Sequence, residues 1–202
     1  MDAQSDMFSD DCQVEAVSGL SYIPNFITQE QEAELVKEID SQSWLDDLKR
    51  RVQHYGWKYD YRARSINQDM KLGSIPPWLA GHAERLHKEG YFPTMPDQVI
   101  VNEYLPGQGI TPHVDCVPCF GEAVASISLN SPCVMEFSKD NQKVPILLEP
   151  RSVVVLSGDA RYQWKHSIPQ RKTDAINGLR VSRERRLSLT FRTMILDKNS
   201  AQ

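Results

Sequence analysis

The chain has few cysteines for its size, and they do not follow the pattern of a disulfide-rich protein. Four cysteines occur in 202 residues, at positions 12, 116, 119 and 133. The pair Cys116 and Cys119 has the Cys-x-x-Cys spacing of half a zinc site or of a redox pair, but no second pair accompanies it. We therefore expect reduced thiols, as in a reducing compartment, rather than a disulfide framework or a zinc site.

The chain also lacks long apolar runs and a large net charge. No stretch approaches the length of a membrane-spanning helix, and residues 1–19 have neither a basic start nor an apolar segment, so we expect no signal peptide. These absences predict a soluble, intracellular, cytoplasmic protein without a membrane partner. The formal net charge of −4 excludes a basic field over the whole surface that would attract nucleic acid.

Charge is nevertheless segregated along the chain. Residues 1–47 contain twelve acidic side chains and one basic one, whereas residues 49–64 contain six basic side chains and one acidic one. Between residues 161 and 192, nine basic side chains stand against two acidic ones. An acidic chain can thus still present a local basic groove. The acidic first 18 residues favour disorder, and the remaining length suits one domain and, we expect, a monomer.

The motif His113-Val114-Asp115 is the first sign of chemistry. In an extended backbone its imidazole and carboxylate leave the same face, which gives two ligands of a metal site. A third ligand has to come from elsewhere in the chain, and His166 is the candidate. Two histidines and a carboxylate form the facial triad of non-haem Fe(II) oxygenases. For any single histidine, the alternative is an ordinary surface or core residue.

A second pattern lies in residues 186–192, Arg-Leu-Ser-Leu-Thr-Phe-Arg. Its even positions are polar and its odd positions apolar, which predicts a strand with two unlike faces. In one interpretation the polar face is simply exposed to water. In the other it lines a cavity, where Arg186 and Arg192 bind a carboxylate with their planar, always charged guanidinium groups.

Four separated motifs together resemble the AlkB family of Fe(II)/2-oxoglutarate dioxygenases, in the family's order and over roughly residues 22–194. They are Asn102-Glu103-Tyr104, His113-Val114-Asp115, His166, and the pair Arg186 and Arg192. Within the family, residues 104–110 and 126–129 most resemble the AlkB domain of a tRNA-modifying member. The resemblance implies a mainly β (α+β) fold, namely a double-stranded β-helix, or jelly roll, with supporting helices and an N-terminal nucleotide-recognition lid. We expect this single domain at residues 19–195, between a leader at 1–18 and a tail at 196–202.

The resemblance also implies the cofactors, which are Fe(II), 2-oxoglutarate and dioxygen. Fe(II) would be held by the His113, Asp115 and His166 side chains. Arg186, helped by Tyr104, is expected to pair with the distal carboxylate of 2-oxoglutarate, and Arg192 and Asn102 to reach its metal-proximal end. Further residues expected in the 2-oxoglutarate pocket are Ile110, Ser188, Thr190 and Trp164, although core packing is the alternative for Trp164.

Residues 49–64 are the candidate substrate-binding segment. Aromatic residues recur there with period two among basic residues, a combination that can stack on bases and contact phosphates. The alternative is a strand whose rings pack on the core, but family members carry a nucleotide-recognition lid at this place. The predicted substrate-binding residues are Arg51, Tyr55, Trp57, Tyr59 and Tyr61.

Local signals predict the main elements. Thr28 and Gln31 form a capping box at the start of one helix, and Pro76-Pro77 opens a second. Residues 168–184 are predicted to be a polar loop. Strands are predicted at 21–27, 124–129, 133–137, 144–148, 152–157, 161–167 and 186–194, and many short strands separated by turns favour a sandwich or barrel.

The resemblance implies hydroxylation of alkylated or modified bases in DNA or RNA, presented single-stranded or flipped out. Our first expectation is oxidative demethylation of N-alkylated bases, a repair reaction that releases formaldehyde and succinate. However, Val117 stands where repair members carry an acidic residue. This departure favours a second hypothesis, the hydroxylation of a modified wobble uridine in tRNA. A small-molecule or protein hydroxylase on the same fold is a third hypothesis, and a nucleic-acid-binding protein without catalytic activity is a fourth.

Overall fold

Two antiparallel sheets form the body of the protein, in a computed structural model that describes residues 13–46, 48–60, 63, 67–176 and 179–196. The larger sheet has six strands within the described residues. In spatial order they are Leu20–Ile23 (β1), Val153–Leu156 (β8), Phe120–Leu129 (β5), Arg186–Met194 (β12), Gln98–Tyr104 (β3) and Val52–Tyr55 (β2). The smaller sheet runs in the order Ile110–His113 (β4), Lys165–Ile168 (β9), Cys133–Lys139 (β6) and Gln142–Leu148 (β7).

The helices Gln29–Ser41 (α1) and Pro77–Lys88 (α2) cover one face of the larger sheet. Their buried residues join the odd positions of β12 and β3 in one apolar cluster, which includes Leu35, Leu86, Val101, Leu189 and Phe191. A second cluster fills the space between the sheets. This architecture confirms the mainly β jelly roll with supporting helices. No helix in the described ranges has the length and apolar character needed to cross a lipid bilayer.

Local signals placed both helices correctly. The Thr28 hydroxyl accepts a hydrogen bond from the backbone N–H of Gln31, and the Gln31 side chain accepts one from the N–H of Thr28, which confirms the capping box. Pro77 is the first residue of α2, where its missing N–H costs no helical hydrogen bond.

The segment before His166 differs from its prediction. Residues 161–167 were expected to form one strand, but residues Gly158–Tyr162 form a short helix (α3) and the strand β9 begins only at Lys165. Gly158 has a φ of +48°, a conformation that turns the chain sharply after β8 and is cheap only for glycine. Alternation of polar and apolar residues carries no signal for such a turn.

The predicted polar loop at 168–184 is also wrong in part. Residues Thr173–Ile176 (β10) and Leu179–Ser182 (β11) pair as a hairpin. The buried carboxylate of Asp174 accepts hydrogen bonds from Arg171, Arg183 and the backbone N–H of Val134 on β6. Asp174 therefore fastens the hairpin to the smaller sheet, and the arginines that suggested a solvated loop pair with its buried carboxylate.

The ends of the chain are only partly described. Val17, within the predicted leader, is 1% exposed and packs in the cluster between the sheets, so the ordered structure begins before residue 19. Residues 1–12 and 197–202 lie outside the described residues, as do residues 61, 62 and 64–66 of the predicted lid. The lid therefore stays a prediction.

Candidate active site

A cavity of about 350 Å³ lies between the two sheets. The larger sheet lines it with Asn102 and Tyr104 of β3 and with Ser188, Thr190 and Arg192 of β12. The odd residues of β12 point to the helices instead. The polar face of residues 188–192 is thus turned into this cavity and not into water, and Arg186, which is also buried, lines a smaller cavity that shares Tyr104 and Ile168 with it.

The smaller sheet and Asp115, two residues beyond the end of β4, bring the three predicted ligands to this cavity. His113 ends β4 and is paired with His166 of β9 across the antiparallel ladder. The Nε2 atoms of His113 and His166 lie 3.3 Å and 3.7 Å from Oδ1 of Asp115. One possible metal-ligating atom from each of the three residues lies within 4.8 Å of the other two. Residues that are far apart along the chain therefore meet because β4 and β9 are neighbours.

The protonation of these groups suits a metal. Nδ1 of His113 lies 2.8 Å from the carbonyl oxygen of Thr111; that oxygen can only accept, so Nδ1 carries the proton and the Nε2 lone pair is free to coordinate. Burial lowers the pKa of His166 to about 4, so its ring is neutral at pH 7. Burial alone would raise the pKa of Asp115, but the charge of Arg192 outweighs it and holds that pKa well below its usual range.

The loop after Asp115 is held by a buried arginine. Arg161 of α3 is 1% exposed and donates hydrogen bonds to four backbone carbonyls, those of Asp115, Cys116, Phe120 and Gly121. This guanidinium fixes the backbone that carries one metal ligand. Sequence reasoning missed Arg161, although it lies only a few residues before His166.

Cys116 and Cys119 form a disulfide in the same loop, so the expectation of reduced thiols is wrong for this pair. A tight turn, in which the N–H of Cys119 donates to the carbonyl of Cys116, brings their Cα atoms to 5.3 Å, within the range that a disulfide spans. Cys133 is a free, buried thiol, and Cys12 lies outside the described residues.

Two arginines of β12 offer donors for an anion. Nη2 of Arg186 donates to the hydroxyl of Ser128, but its buried Nε and Nη1 have no hydrogen-bond partner among the described residues. Nε of Arg192 donates to Oδ2 of Asp115 at 2.8 Å, and its buried Nη1 is likewise unpartnered within the described chain. Buried charged donors without acceptors are costly, so this arrangement indicates a bound anion.

The comparison with known families decides the identity. The model of the 2OG-Fe(II) oxygenase superfamily matches residues 19–192. The chain belongs to this superfamily. Its relatives and its site place it in the AlkB family, as the sequence motifs indicated.

Among its relatives is the uncharacterized protein L905 of Acanthamoeba polyphaga mimivirus, 36% identical over 189 residues that cover 90% of this chain and 88% of that protein. An alkylated DNA repair protein ALKBH8 homolog of Arabidopsis thaliana is 35% identical over 204 residues, 87% of this chain and 58% of that protein. The tRNA (carboxymethyluridine(34)-5-O)-methyltransferase alkbh8 of Xenopus tropicalis is 36% identical over 164 residues, 78% of this chain and 26% of that protein. This chain thus corresponds to only part of the last two proteins.

A solved structure of OsALKBH1 shares the fold, with a TM-score of 0.68 and 18% identity over 87% of this chain and 98% of that one. AlkB-family oxygenases use Fe(II), 2-oxoglutarate and dioxygen, and the residues present fit these cofactors. Two imidazoles and a carboxylate offer the metal three ligands, and the two arginines with unpartnered donors suit a dicarboxylate. When bound, the iron centre with its co-substrates supplies the oxidising power to insert one oxygen atom into a C–H bond.

The other residues predicted for the 2-oxoglutarate pocket fall into two groups. Asn102, Tyr104, Ile110, Ser188 and Thr190 line the cavity. Trp164 does not; it is buried in the cluster between the sheets. Trp164 is therefore packed in the core, which was the alternative to a place in the pocket. It precedes strand β9, so the expectation that it shares a strand face with His166 does not hold.

Of the predicted substrate-binding residues, only Tyr59 lines the cavity among those described, and its ring packs 5.2 Å from that of Phe120. Arg51 is bound to Glu103 and stacks on Trp44. Tyr55 packs edge-on against Trp78 of α2, and Trp57 is only 6% exposed. Tyr61 lies outside the described residues.

Arg50, which the sequence analysis did not select although it selected Arg51, also lines the cavity, as Tyr59 does.

Proposed function

We propose that this AlkB-family oxygenase oxidises a base in nucleic acid, and that the base is a neutral or anionic modified uridine in tRNA. The charge of the cavity lining carries this proposal. The cavity is lined by Arg50 and Arg192, and Asp115 is the single carboxylate among its described lining residues. Asp115 is already committed to the metal site and to Arg192.

This charge distribution disfavours a cationic substrate. Adenine and cytosine alkylated at a ring nitrogen carry a positive charge, and a carboxylate facing the base would stabilise it. At the place where repair members carry an acid, this chain has Val117, whose side chain is 46% exposed. A neutral or anionic side chain on a uridine needs no carboxylate opposite it.

The ring of Tyr59 supports a base as the substrate. It lines the cavity and packs against the ring of Phe120, so an aromatic side chain is present where a base would enter. Stacking on an aromatic side chain is worth about 1–3 kcal/mol per base and tolerates any base. That energy is comparable with the few kcal/mol needed to unstack a flipped nucleotide.

The name of the Xenopus relative points in the same direction, because it specifies tRNA and a carboxymethyluridine. The proposed reaction consumes the substrate C–H, dioxygen and 2-oxoglutarate, and it produces the C–OH product, succinate and carbon dioxide. The ligands hold the reacting centre, Arg186 and Arg192 orient the co-substrate, and the apolar walls exclude water.

Oxidative demethylation of an N-alkylated base is the second candidate, and the name of the Arabidopsis relative, which refers to repair of alkylated DNA, favours it. The chemistry begins in the same way, with hydroxylation of an N-methyl carbon. The product then breaks down to formaldehyde and the unmodified base. The two candidates therefore differ in a measurable product.

The test is mass spectrometry of nucleosides after incubation with the protein, Fe(II), ascorbate and 2-oxoglutarate. The substrates are bulk tRNA that retains unhydroxylated wobble uridines, methylated single-stranded DNA and methylated RNA. We expect a uridine nucleoside from tRNA that is heavier by one oxygen atom, without release of formaldehyde.

Two histidine variants serve as controls. His113→Ala should abolish the product, whereas His82→Ala, on α2 and outside the cavity lining, should not. Formaldehyde from the methylated pools with unchanged tRNA would replace the first candidate by the second. Product formed by His113→Ala would reject the metal site itself.

A further inference from the structure

Arg50 makes contacts that set it apart from the neighbouring Arg51. It precedes β2, is partly buried and lines the cavity. Its Nε donates a hydrogen bond to Oδ1 of Asn102 at 2.8 Å, and its guanidinium lies 5.6 Å from the centre of the Tyr104 ring. Arg186 lies at the same distance from that ring. One aromatic ring therefore has two guanidinium groups within cation–π range.

The pairing of β2 with β3 explains why Arg50 reaches this place and Arg51 does not. Val52 is paired with Asn102, and the N–H of Glu103 donates to the carbonyl of Arg51. Successive side chains of an extended chain leave opposite faces. Arg51 consequently meets Glu103 on the outer face, while Arg50 meets Asn102 and Tyr104 on the cavity face.

We propose that Arg50 is an additional 2-oxoglutarate-binding residue, which positions the amide of Asn102 and closes the cofactor pocket with a third guanidinium group. The hydrogen bond from Nε of Arg50 fixes the orientation of the Asn102 amide. Because this N–H can only donate, the atom of Asn102 that it contacts must be the amide oxygen. The amide nitrogen of Asn102 is thereby turned away from Arg50. Its contact with the carbonyl of Ile100 is 3.5 Å long and leaves it well able to donate to a carboxylate.

Charge supports the same assignment. 2-Oxoglutarate carries two negative charges, and Arg192, one of the two arginines of β12, already shares its charge with Asp115. A third cation beside Asn102 and Tyr104 would compensate more of the negative charge of 2-oxoglutarate in a low-dielectric cavity. The inference depends on the cofactor of the family and not on the identity of the substrate.

Calorimetric titration of 2-oxoglutarate into manganese(II)-loaded protein tests this role without turnover. Arg50→Met should raise the Kd by about tenfold or more, the loss typical of one charge-assisted hydrogen bond. Arg51→Met is the matched control and should leave the Kd within about twofold of wild type. Arg50→Lys, which keeps the charge but not the planar group, should fall between them. In turnover assays, Arg50→Met should raise the KM for 2-oxoglutarate much more than it lowers kcat.

Melting temperatures of the metal-free variants separate this role from a loss of folding. Arg51→Met removes a partner of the buried Glu103 carboxylate, so we expect Arg50→Met to melt no lower than Arg51→Met. Should Arg50→Met prove unstable, Arg50→Lys carries the test alone, with an expected Kd above that of wild type. Equal Kd values for wild type and the Arg50 variants would overturn the proposal. So would a loss of nucleic-acid binding with the cofactor Kd unchanged, since Arg50 would then be a substrate contact. Binding of 2-oxoglutarate requires no nucleic acid, so failure of the proposed function leaves this test intact.

Discussion

At the scale of single residues, the site depends on charged side chains that are buried in the protein interior. Arg161 is the extreme case, since a fully buried guanidinium donates its hydrogen bonds to backbone carbonyls. Burial lowers its pKa, yet a guanidinium stays protonated at any ordinary pH. The cost of burying it is offset by hydrogen bonds that no smaller side chain can reproduce.

We expect Arg161→Met to lower the free energy of unfolding by about 3 kcal/mol or more, because four carbonyls near the metal site lose their donor. Urea denaturation of the metal-free protein measures this change. The variant should also bind manganese(II) more weakly, because the backbone of Asp115 is no longer fixed. Arg180→Met, on the exposed hairpin, is the control and should change stability by less than about 0.5 kcal/mol. Equal stability of the two variants would show that the loop does not need its arginine.

At the scale of elements, the hairpin β10–β11 illustrates how one carboxylate holds a whole unit in place. Asp174 binds Arg183 at 2.6 Å and Arg171 at 2.6 Å, and both its own side chain and that of Arg183 are buried. Burial alone would raise the pKa of Asp174, but the hydrogen bonds from Arg183 and Arg171 outweigh it and lower the pKa. The ionised form is therefore part of the folded structure.

We expect Asp174→Asn to destabilise the protein by about 3 kcal/mol at pH 7, because Arg183 is left buried without its counter-ion. A pKa that is lower in the folded state means that the stabilisation is complete above the unfolded value of 3.8 and is lost as the pH falls through the folded value. The difference between the variant and wild type should therefore shrink below pH 3.8. Denaturation curves measured at pH values above and below 3.8 test this pH dependence, and Asp140→Asn, in an exposed turn, is the control. A difference independent of pH would refute the electrostatic explanation.

At the scale of the whole molecule, the active site joins two sheets that otherwise meet through apolar side chains. The three candidate metal ligands belong to the smaller sheet and to the loop after β4, whereas Arg186 and Arg192 belong to the larger sheet. The ion pair between Arg192 and Asp115 already crosses this gap. A dicarboxylate bound to the metal and to both arginines would cross it again.

Metal and 2-oxoglutarate should therefore stabilise the fold in two separable steps. A ligand at one hundred times its Kd adds about 2.7 kcal/mol, which for a chain of this length raises Tm by roughly 5–10 °C. Manganese(II) alone should raise Tm, and 2-oxoglutarate should raise it further only when the metal is present. In Arg186→Met the metal step should persist and the 2-oxoglutarate step should largely vanish. A full second step in that variant would exclude Arg186 from the cofactor site.

Sequence reasoning was sound wherever a signal is local or a residue type is rare. The capping box and the alternation of residues 186–192 depend on a residue and its near neighbours, whereas His166 was chosen as a distant ligand with the help of the family resemblance. Sequence reasoning failed where a turn continues into a short helix, as residues 161 and 162 do where a strand was predicted, or where polar residues satisfy one another in the interior, as Asp174 does. Those outcomes depend on partners that are distant in sequence.

The amino-acid sequence by itself determined the kind of protein: strands with one polar face, three metal-binding side chains, and arginines suited to a carboxylate. Only the tertiary structure decided which of two neighbouring side chains reaches the site, namely Arg50 and not Arg51. The physical reason is that a strand side chain faces one way or the other according to register. Register is set by hydrogen bonds to a partner strand far along the chain, and a shift of one residue would exchange the two faces.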